Sequence, residues 1–222
     1  MIKFKSKIII FFSILLIFLS GIWVERFGID NKILSIIKNS SDSISRFIYG
    51  FKSNEKISIV FKEEEYKKIL DAREKSLRQN ILTKDLEIWT SAKLYTKNSL
   101  HNIRIRLKGI FPDHWSDSTQ WSFKIKVNND SKPLKGLKRF ALQPPKTTSY
   151  IYEWLFMKAL EKEDLISLGV EFLDLEINNN SRGLYAFIGQ VSEEILQKNN
   201  RTLGPIIGFD SDLWIKEQIN SK

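Results

Sequence analysis

Two short segments of the sequence, 103–109 and 121–127, alternate apolar residues with Arg and Lys, and a loop containing His114 joins them. Successive side chains of a β-strand point to opposite faces, so a pair of such strands places apolar side chains in a core and a row of cations on the other face. Such a row can hold phosphate groups through charge-assisted hydrogen bonds. The alternative is a solvated sheet face, which is the commoner meaning of alternating Lys and Arg.

The composition narrows the possible functions. The 222-residue chain has a formal net charge of +9, with Lys and Arg interleaved among Asp and Glu over most of its length. No basic helix, base-stacking motif or zinc-finger spacing accompanies this charge, so nucleic acid is not an expected partner. The sequence contains no cysteine, which excludes disulfides, a thiol nucleophile and thiolate metal sites. The sequence has only two histidines, His101 and His114, so a histidine-rich metal site or a Ser-His-Asp triad is not expected.

An uncharged run at 8–24 follows three lysines near the amino terminus. A run of this length is at the lower limit for a helix that spans a bilayer, and the lysines before it favour a cytoplasmic amino terminus. We therefore predict a basic tail at 1–7, a transmembrane signal anchor at 8–24, a juxtamembrane stalk at 25–55 and an extracytoplasmic domain at 56–222. This makes the protein a single-pass protein of the cell membrane. A cleaved signal peptide is the alternative.

Periodicity and turn residues predict the elements of the domain. Between them lie turn-forming segments such as 128–131 and 178–182, which favour hairpins. The pattern indicates an α+β fold with a mostly antiparallel sheet and one main packed helix. The predicted strands are 56–61, 91–96, 103–109, 121–127, 138–143, 170–177 and 183–188, and the predicted helices are 62–79, 148–162 and 192–198.

Several short motifs follow one another over about half of the chain. They are R-L-K-G at 106–109, W-S-F-K-I-K at 121–126, Y-E-W-L-F at 152–156, I-N at 177–178, G-L-Y-A at 183–186 and G-P-I-I at 204–207. In this order they resemble the spore coat protein H-like (CotH) kinase family. The resemblance implies a protein-kinase-like small lobe, here preceded by the amino-terminal transmembrane helix.

The resemblance also implies a nucleotide site that holds ATP and Mg²⁺. In kinase-type chemistry a strand lysine steadies the phosphates and a helix carboxylate orients that lysine. These positions match Lys126 and Glu153, and Arg106 is a second candidate phosphate contact. Each residue has an ordinary alternative: Lys126 as a solvated strand residue, Glu153 as a carboxylate favoured in the first turn of a helix, and Arg106 as a rim charge.

The sequence departs from the family at two places. Gly189 stands where the family has a Glu, and the chain ends shortly after 209–214, where family members continue into a lobe with the catalytic carboxylates. We therefore assign no catalytic residue and no metal ligand, and interpret Asp210 and Asp212 as a solvated pair.

The expected function is that of a truncated CotH-like protein, whose full-length relatives transfer phosphate from ATP to protein Ser or Thr. By itself the chain is not expected to be a competent kinase. A separately encoded second lobe or another protein is the expected partner. The alternative is a surface-anchored binding or scaffold module for an anionic ligand or a partner protein. A hydrolase has little support because no acid and base pair forms a recognisable motif.

Overall fold

The computed structural model describes residues 55–207. Seven strands and three α-helices occur in this part of the chain, together with short 3-10 turns at Lys84–Leu86, Pro112–His114 and Pro145–Thr148. In chain order they are β1 (Lys56–Val60), α1 (Glu63–Gln79), β2 (Thr90–Tyr95), β3 (Leu100–Leu107), β4 (Phe123–Val127), β5 (Arg139–Gln143), α2 (Tyr152–Lys162), β6 (Val170–Ile177), β7 (Asn180–Gly189) and α3 (Glu193–Lys198).

The strands form a closed barrel in the order β1-β2-β3-β4-β5-β7-β6. Every pair of neighbours is antiparallel except β1 and β6, which run parallel and pair Ile57 with Leu175. Consecutive strands from β1 to β5 are neighbours, so this half of the barrel is a meander. The β6–β7 hairpin turns at Asn178 and Asn179, whose φ angles are 47° and 64°, a left-handed conformation that Asn tolerates better than most residues.

The alternating apolar residues of the strands fill the barrel. On β3 and β4 these residues are Ile103, Ile105, Phe123 and Ile125, and each is 0 or 1% exposed. Their neighbours along the strands carry the cations, so the period-two pattern separates a core from a charged outer face. Trp115, in the loop between β3 and β4, is also fully buried and donates from its indole Nε1 to the carbonyl of Gly109.

Helix α1 covers one part of the barrel and anchors the loop between β3 and β4. It begins with three acidic residues, which suit the positive end of the helix dipole, and ends at Asn80 in the left-handed conformation. Its inner face buries Ile69 and Ala72. From the same helix Arg73 donates hydrogen bonds to the carbonyls of Trp115 and Asp117, at 2.7 and 2.8 Å.

Helix α2 packs more loosely on the outside of the barrel. Trp154 and Met157 contact a small apolar cluster formed by Val170, Ala186 and Ile188 of β6 and β7. None of the residues of α2 is fully buried. Glu153, in the first turn of α2, is close enough to Lys108 beyond the end of β3 for the charge of that lysine to act on its carboxylate.

The predicted fold class is wrong, although the seven strands lie close to their predicted positions. The sheet is not the small lobe of a protein kinase, because the parallel pairing of β1 with β6 closes it into a barrel and leaves no open edge. The main packed helix is also misassigned. Among the described helices, α1 buries the most residues, whereas the prediction gave this role to α2, which buries none.

No helix within residues 55–207 has the length and apolar character needed to cross a bilayer. The longest, α1, has 17 residues and is amphipathic and strongly charged. The predicted anchor at 8–24 and nearly all of the predicted stalk lie outside the described residues. The structure therefore does not support the predicted single-pass anchor, the membrane as a partner or the cell-membrane location, and we do not carry these three predictions further.

Candidate anion-binding site

The outer side of β3, β4 and β5 carries cations in register. Arg104 of β3 lies opposite Lys126 of β4, which lies opposite Arg139 of β5. Two residues further along, Arg106 lies opposite Lys124. Beyond the end of β3, the Lys108 ammonium donates to Oε1 of Gln143 at 2.7 Å. We call the six cations the cationic face: Arg104, Arg106, Lys108, Lys124, Lys126 and Arg139.

The first row of this face, Arg104, Lys126 and Arg139, is exposed to solvent. Among residues 55–207 none of the three forms an ion pair with a carboxylate. Like charges directly opposite one another on neighbouring strands repel and destabilise a sheet. An anion that bridges the row would remove this repulsion, so the row is suited to binding one.

The second row consists of Arg106 and Lys124, and its positive charge is partly balanced by neighbouring groups. The Arg106 side chain is 10% exposed, and its Nη1 lies 2.5 Å from Oε1 of Glu87. Its guanidinium also lies 5.2 Å from the centre of the Trp89 ring, a cation–π distance. Burial, together with the charge of Arg106, lowers the pKa of Lys124, and the Glu87 carboxylate opposes this shift. Glu87 thus neutralises part of this row.

The third row consists of Lys108 alone, which is the most buried lysine of the cationic face. Burial lowers the pKa of Lys108, and the carboxylate of Glu153 opposes that shift. Burial likewise raises the pKa of Glu153, and the Lys108 charge opposes it. The two charges sense one another without forming an ion pair within hydrogen-bonding range in the described structure. Lys108 is therefore a half-buried cation whose direct partner is the neutral amide of Gln143, and such a cation favours an added anion.

His114 lies against this third row. Its Nδ1 is 2.9 Å from the Ser122 hydroxyl, and Nε2 is 3.9 Å from a carboxylate oxygen of Asp113. Burial lowers the pKa of His114, and the nearby charge of Lys108 lowers it further. The imidazole is therefore neutral at pH 7, so it shapes the loop and adds no charge to the cationic face. Ser122 itself is fully buried, which leaves it unsuited to act as a nucleophile.

The three predicted site residues have different surroundings. Lys126 and Arg106 both lie on the cationic face, in neighbouring rows. Glu153 lies near Lys108, and the structure does not pair it with Lys126. Arg106 is occupied by Glu87. Nothing in the structure tests a nucleotide role for these residues, so that role stays a prediction.

Sequence reasoning missed Lys108, Lys124 and Gln143 as members of the site. The signal for Lys108 was present, because 104, 106 and 108 continue one period-two series and share a face. Lys124 belongs to the same series as Lys126. Gln143 carried no signal, since its contact with Lys108 depends on the pairing of β5 with β4.

The site offers no ready set of metal ligands. Within the described range no three His, Asp or Glu side chains gather closely enough to hold a metal ion. The cationic face fits the phosphates of ATP, but these residues do not fit Mg²⁺, which prefers carboxylate and phosphate oxygens. Any Mg²⁺ at this face would have to arrive on the phosphates. The predicted solvated pair, Asp210 and Asp212, lies outside the described residues.

Comparison with protein-family models gives no match for this chain, and comparison with curated proteins finds none that matches it.

Proposed function

We propose that the barrel is a binding module for a phosphate-bearing ligand, which it holds on the cationic face. The observation that carries the proposal is the charge imbalance there. Six cations share one outer face, and within residues 55–207 Glu87 is the carboxylate that forms an ion pair with them, through Arg106. Lys108 adds a half-buried ammonium held by a neutral amide.

The arrangement favours a ligand with more than one phosphate. Residues two apart on a strand are about 7 Å apart, and neighbouring strands are about 5 Å apart, so the face presents charges in two directions. A single phosphate reaches one or two of these cations, whereas a di- or triphosphate reaches cations in two rows. The resemblance to CotH kinases makes a nucleoside triphosphate the first ligand to test. Binding without transfer is proposed, since no catalytic base is assigned among the described residues.

Isothermal titration calorimetry on the full chain tests this proposal. The titrants are Mg-ATP, inorganic tripolyphosphate and adenosine, each at low and high salt. We expect binding of the first two that weakens as salt rises, and no binding of adenosine. Binding of ATP that is much tighter than that of tripolyphosphate would add a base-binding contact. Absence of heat with both phosphorylated ligands would refute the proposal.

Variants locate the site. Lys108→Met and Lys126→Met should each weaken binding by about tenfold, because each removes one charge-assisted contact. Lys67→Met is the matched control, since Lys67 is an exposed lysine of α1 that is not one of the six cations of this face. Lys126 is exposed, so its variant should fold normally and keeps the test valid if Lys108→Met unfolds. Equal affinities for Lys126→Met and Lys67→Met would exclude the cationic face.

A further inference from the structure

Lys108 has surroundings that are unusual for a lysine. It is half-buried, and its Nζ lies 2.7 Å from Oε1 of Gln143, a residue that is 5% exposed. Its backbone N–H donates to the carbonyl of Ser122 at 2.9 Å, and the Ser122 hydroxyl in turn bonds the neutral ring of His114. The groups that hold Lys108 in place are therefore uncharged. Within residues 55–207 no carboxylate forms an ion pair with it, whereas Lys135 pairs with two.

Two of the charged groups near Lys108 are cations of the same face. Arg106 precedes it by two residues, and Lys124 lies opposite Arg106 on β4. Burial lowers the pKa of Lys108, and the charges of both cations lower it further. The carboxylates of Glu153, on α2, and Asp113, in the loop after β3, oppose this shift. The balance leaves Lys108 with a larger fraction of free amine at a given pH than a solvated lysine has.

A free amine in such a site is a nucleophile for carbonyl groups. Lysines that form Schiff bases are typically desolvated or lie next to another cation, and Lys108 meets both conditions. Lys124 offers a place for a phosphate beside it, because positions two apart on a strand are separated by about 7 Å and both side chains are long. A compact ligand in which a few bonds separate a carbonyl carbon from a phosphate spans this distance.

We propose that Lys108 is a Schiff-base lysine, which condenses with a small aldehyde or ketone that carries a phosphate group. The phosphate binds Lys124 and the neighbouring cations of the face, while the carbonyl carbon lies against the Lys108 amine. This inference rests on the proposed phosphate-binding function. It adds to that function a class of ligand that the cationic face holds through a covalent bond as well as through charge.

The condensation needs no reactant besides the amine and the carbonyl compound. The Lys108 ammonium first releases one proton to solvent, and the amine lone pair attacks the carbonyl carbon while the C=O pair moves to oxygen. One proton passes from the nitrogen to that oxygen, which gives a carbinolamine. The nitrogen lone pair then forms the C=N bond as the hydroxyl group leaves, and the remaining N–H proton joins the hydroxyl as water. One imine and one water form, and nothing is oxidised or reduced.

Reductive trapping on the full chain tests the proposal. The chain is mixed at neutral pH with pyridoxal 5′-phosphate, an aldehyde that carries a phosphate, and the imine is reduced with borohydride. Peptide mass spectrometry then gives the rate of modification at each lysine. We expect Lys108 to be modified severalfold faster than Lys67, the exposed lysine of α1 that serves as the internal control. Tripolyphosphate should protect Lys108 and leave Lys67 unprotected.

Lys124→Met tests the phosphate contact. Because loss of this cation also alters the Lys108 amine, the quantity to compare is the rate with pyridoxal 5′-phosphate divided by the rate with pyridoxal, which lacks the phosphate. This ratio should fall about tenfold in Lys124→Met, since one charge-assisted contact is lost. It should stay unchanged in Lys93→Met, which removes an exposed lysine of β2.

Glu153→Gln tests the electrostatics of the amine. The Glu153 carboxylate favours the ammonium form of Lys108, so its removal should speed modification of Lys108 by both aldehydes. A packing role of Glu153 alone would not produce this increase. A slower reaction in Glu153→Gln than in the wild-type chain would contradict the assigned surroundings of Lys108.

Two results separate a failure of this inference from a failure of the proposed function. If tripolyphosphate binds in calorimetry but Lys108 reacts no faster than Lys67, the Schiff-base lysine is refuted and the anion-binding function stands. If Lys108 reacts rapidly with both aldehydes and tripolyphosphate does not protect it, the phosphate site is refuted, and with it the class of ligand. Both results come from the wild-type chain, so neither depends on the folding of a variant.

Discussion

The hydroxyl of Tyr185 hydrogen-bonds to two backbone groups of Trp121, two residues before β4, and its removal gives a sharp test of the structure. Tyr185, on β7, is fully buried. Its hydroxyl accepts a hydrogen bond from the Trp121 N–H at 3.0 Å and donates one to the Trp121 carbonyl at 3.1 Å. Burial raises the pKa of Tyr185 well above its ordinary value, so the hydroxyl keeps its proton at any working pH.

In Tyr185→Phe both backbone groups of Trp121 lose this partner within a buried site. An unsatisfied buried donor or acceptor costs about 1–3 kcal/mol. Because the substitution leaves the ring in place and opens no large cavity, we expect a total loss of about 2–4 kcal/mol in the free energy of unfolding. With an m-value of about 2 kcal/mol/M, the urea midpoint should fall by about 1–2 M.

Urea unfolding of the full chain, followed by tryptophan fluorescence, measures this change. The buried indoles of Trp115 and Trp121 report directly on the region. Tyr95→Phe is the control, because Tyr95 is 39% exposed on β2, and its stability should lie within about 0.5 kcal/mol of wild type. If Tyr185→Phe were no less stable than Tyr95→Phe, the inferred role of the two hydrogen bonds would be wrong.

Two further substitutions probe the loop between β3 and β4. A Cβ at Gly109 would lie 2.0 Å from Cδ2 of His114, so Gly109→Ala should lower the free energy of unfolding by about 2–4 kcal/mol in urea titrations. Gly136→Ala, also at positive φ but without neighbours, should cost about 1 kcal/mol, and equal losses would contradict the clash. Burial alone would raise the pKa of Asp117, but hydrogen bonds from Lys146 and two backbone N–H groups hold it well below its ordinary value. The stabilisation this gives is fully present above about pH 4 and declines as the pH falls below that value. Asp117→Asn should therefore be less stable than wild type at pH 6, and the gap in the free energy of unfolding should narrow steadily as the pH is lowered below 4; a gap independent of pH would refute this.

Local sequence signals located the strands well. β4 follows from its strict alternation of apolar residues and lysines, and β6 and β7 follow from two runs rich in apolar residues around an Asn-rich turn. In each case the information lies within a few residues, in the side-chain period of a strand and in the left-handed conformation that Asn tolerates. These local features are found again in the folded barrel, because the side-chain period decides which face of each strand is buried and the Asn residues form the turn.

Closure of the sheet could not be read in the same way. β1 and β6 are more than 100 residues apart, and their parallel pairing depends on the twist of the intervening strands. Local patterning is the same for an open sheet and for a barrel. The resemblance to kinases then favoured an open lobe, and the structure corrected it.

The candidate site likewise has features that the sequence predicts and features that depend on the fold. Arg106 and Lys126 share a face because of their period along two paired strands, which the sequence carries. The partner of Glu153 depends on where α2 lies against the barrel, which the sequence does not carry. In the structure the charge that acts on Glu153 is that of Lys108, which follows the last residue of β3.

A substitution in the first row of the cationic face should change the free energy of unfolding and the affinity for anions in opposite directions. Lys126 lies opposite both Arg104 and Arg139, so replacing it with Thr, a good strand former, removes two repulsions. Lys126→Thr should raise the free energy of unfolding at low salt by about 0.2–1 kcal/mol. The same change should weaken tripolyphosphate binding severalfold, since the repulsion and the affinity arise from the same charges.

Lys93→Thr separates this effect from a general loss of positive charge. Lys93 is exposed on β2 but lies opposite Asn102, so it has no cation across the strand pair. Its replacement should change neither stability nor binding measurably. If Lys126→Thr lowered stability, or if it raised stability and left binding intact, the row would be an ordinary solvated sheet face. Opposite changes in the two measurements, both diminished at high salt, are expected only where the sheet tolerates repulsion in order to hold an anion.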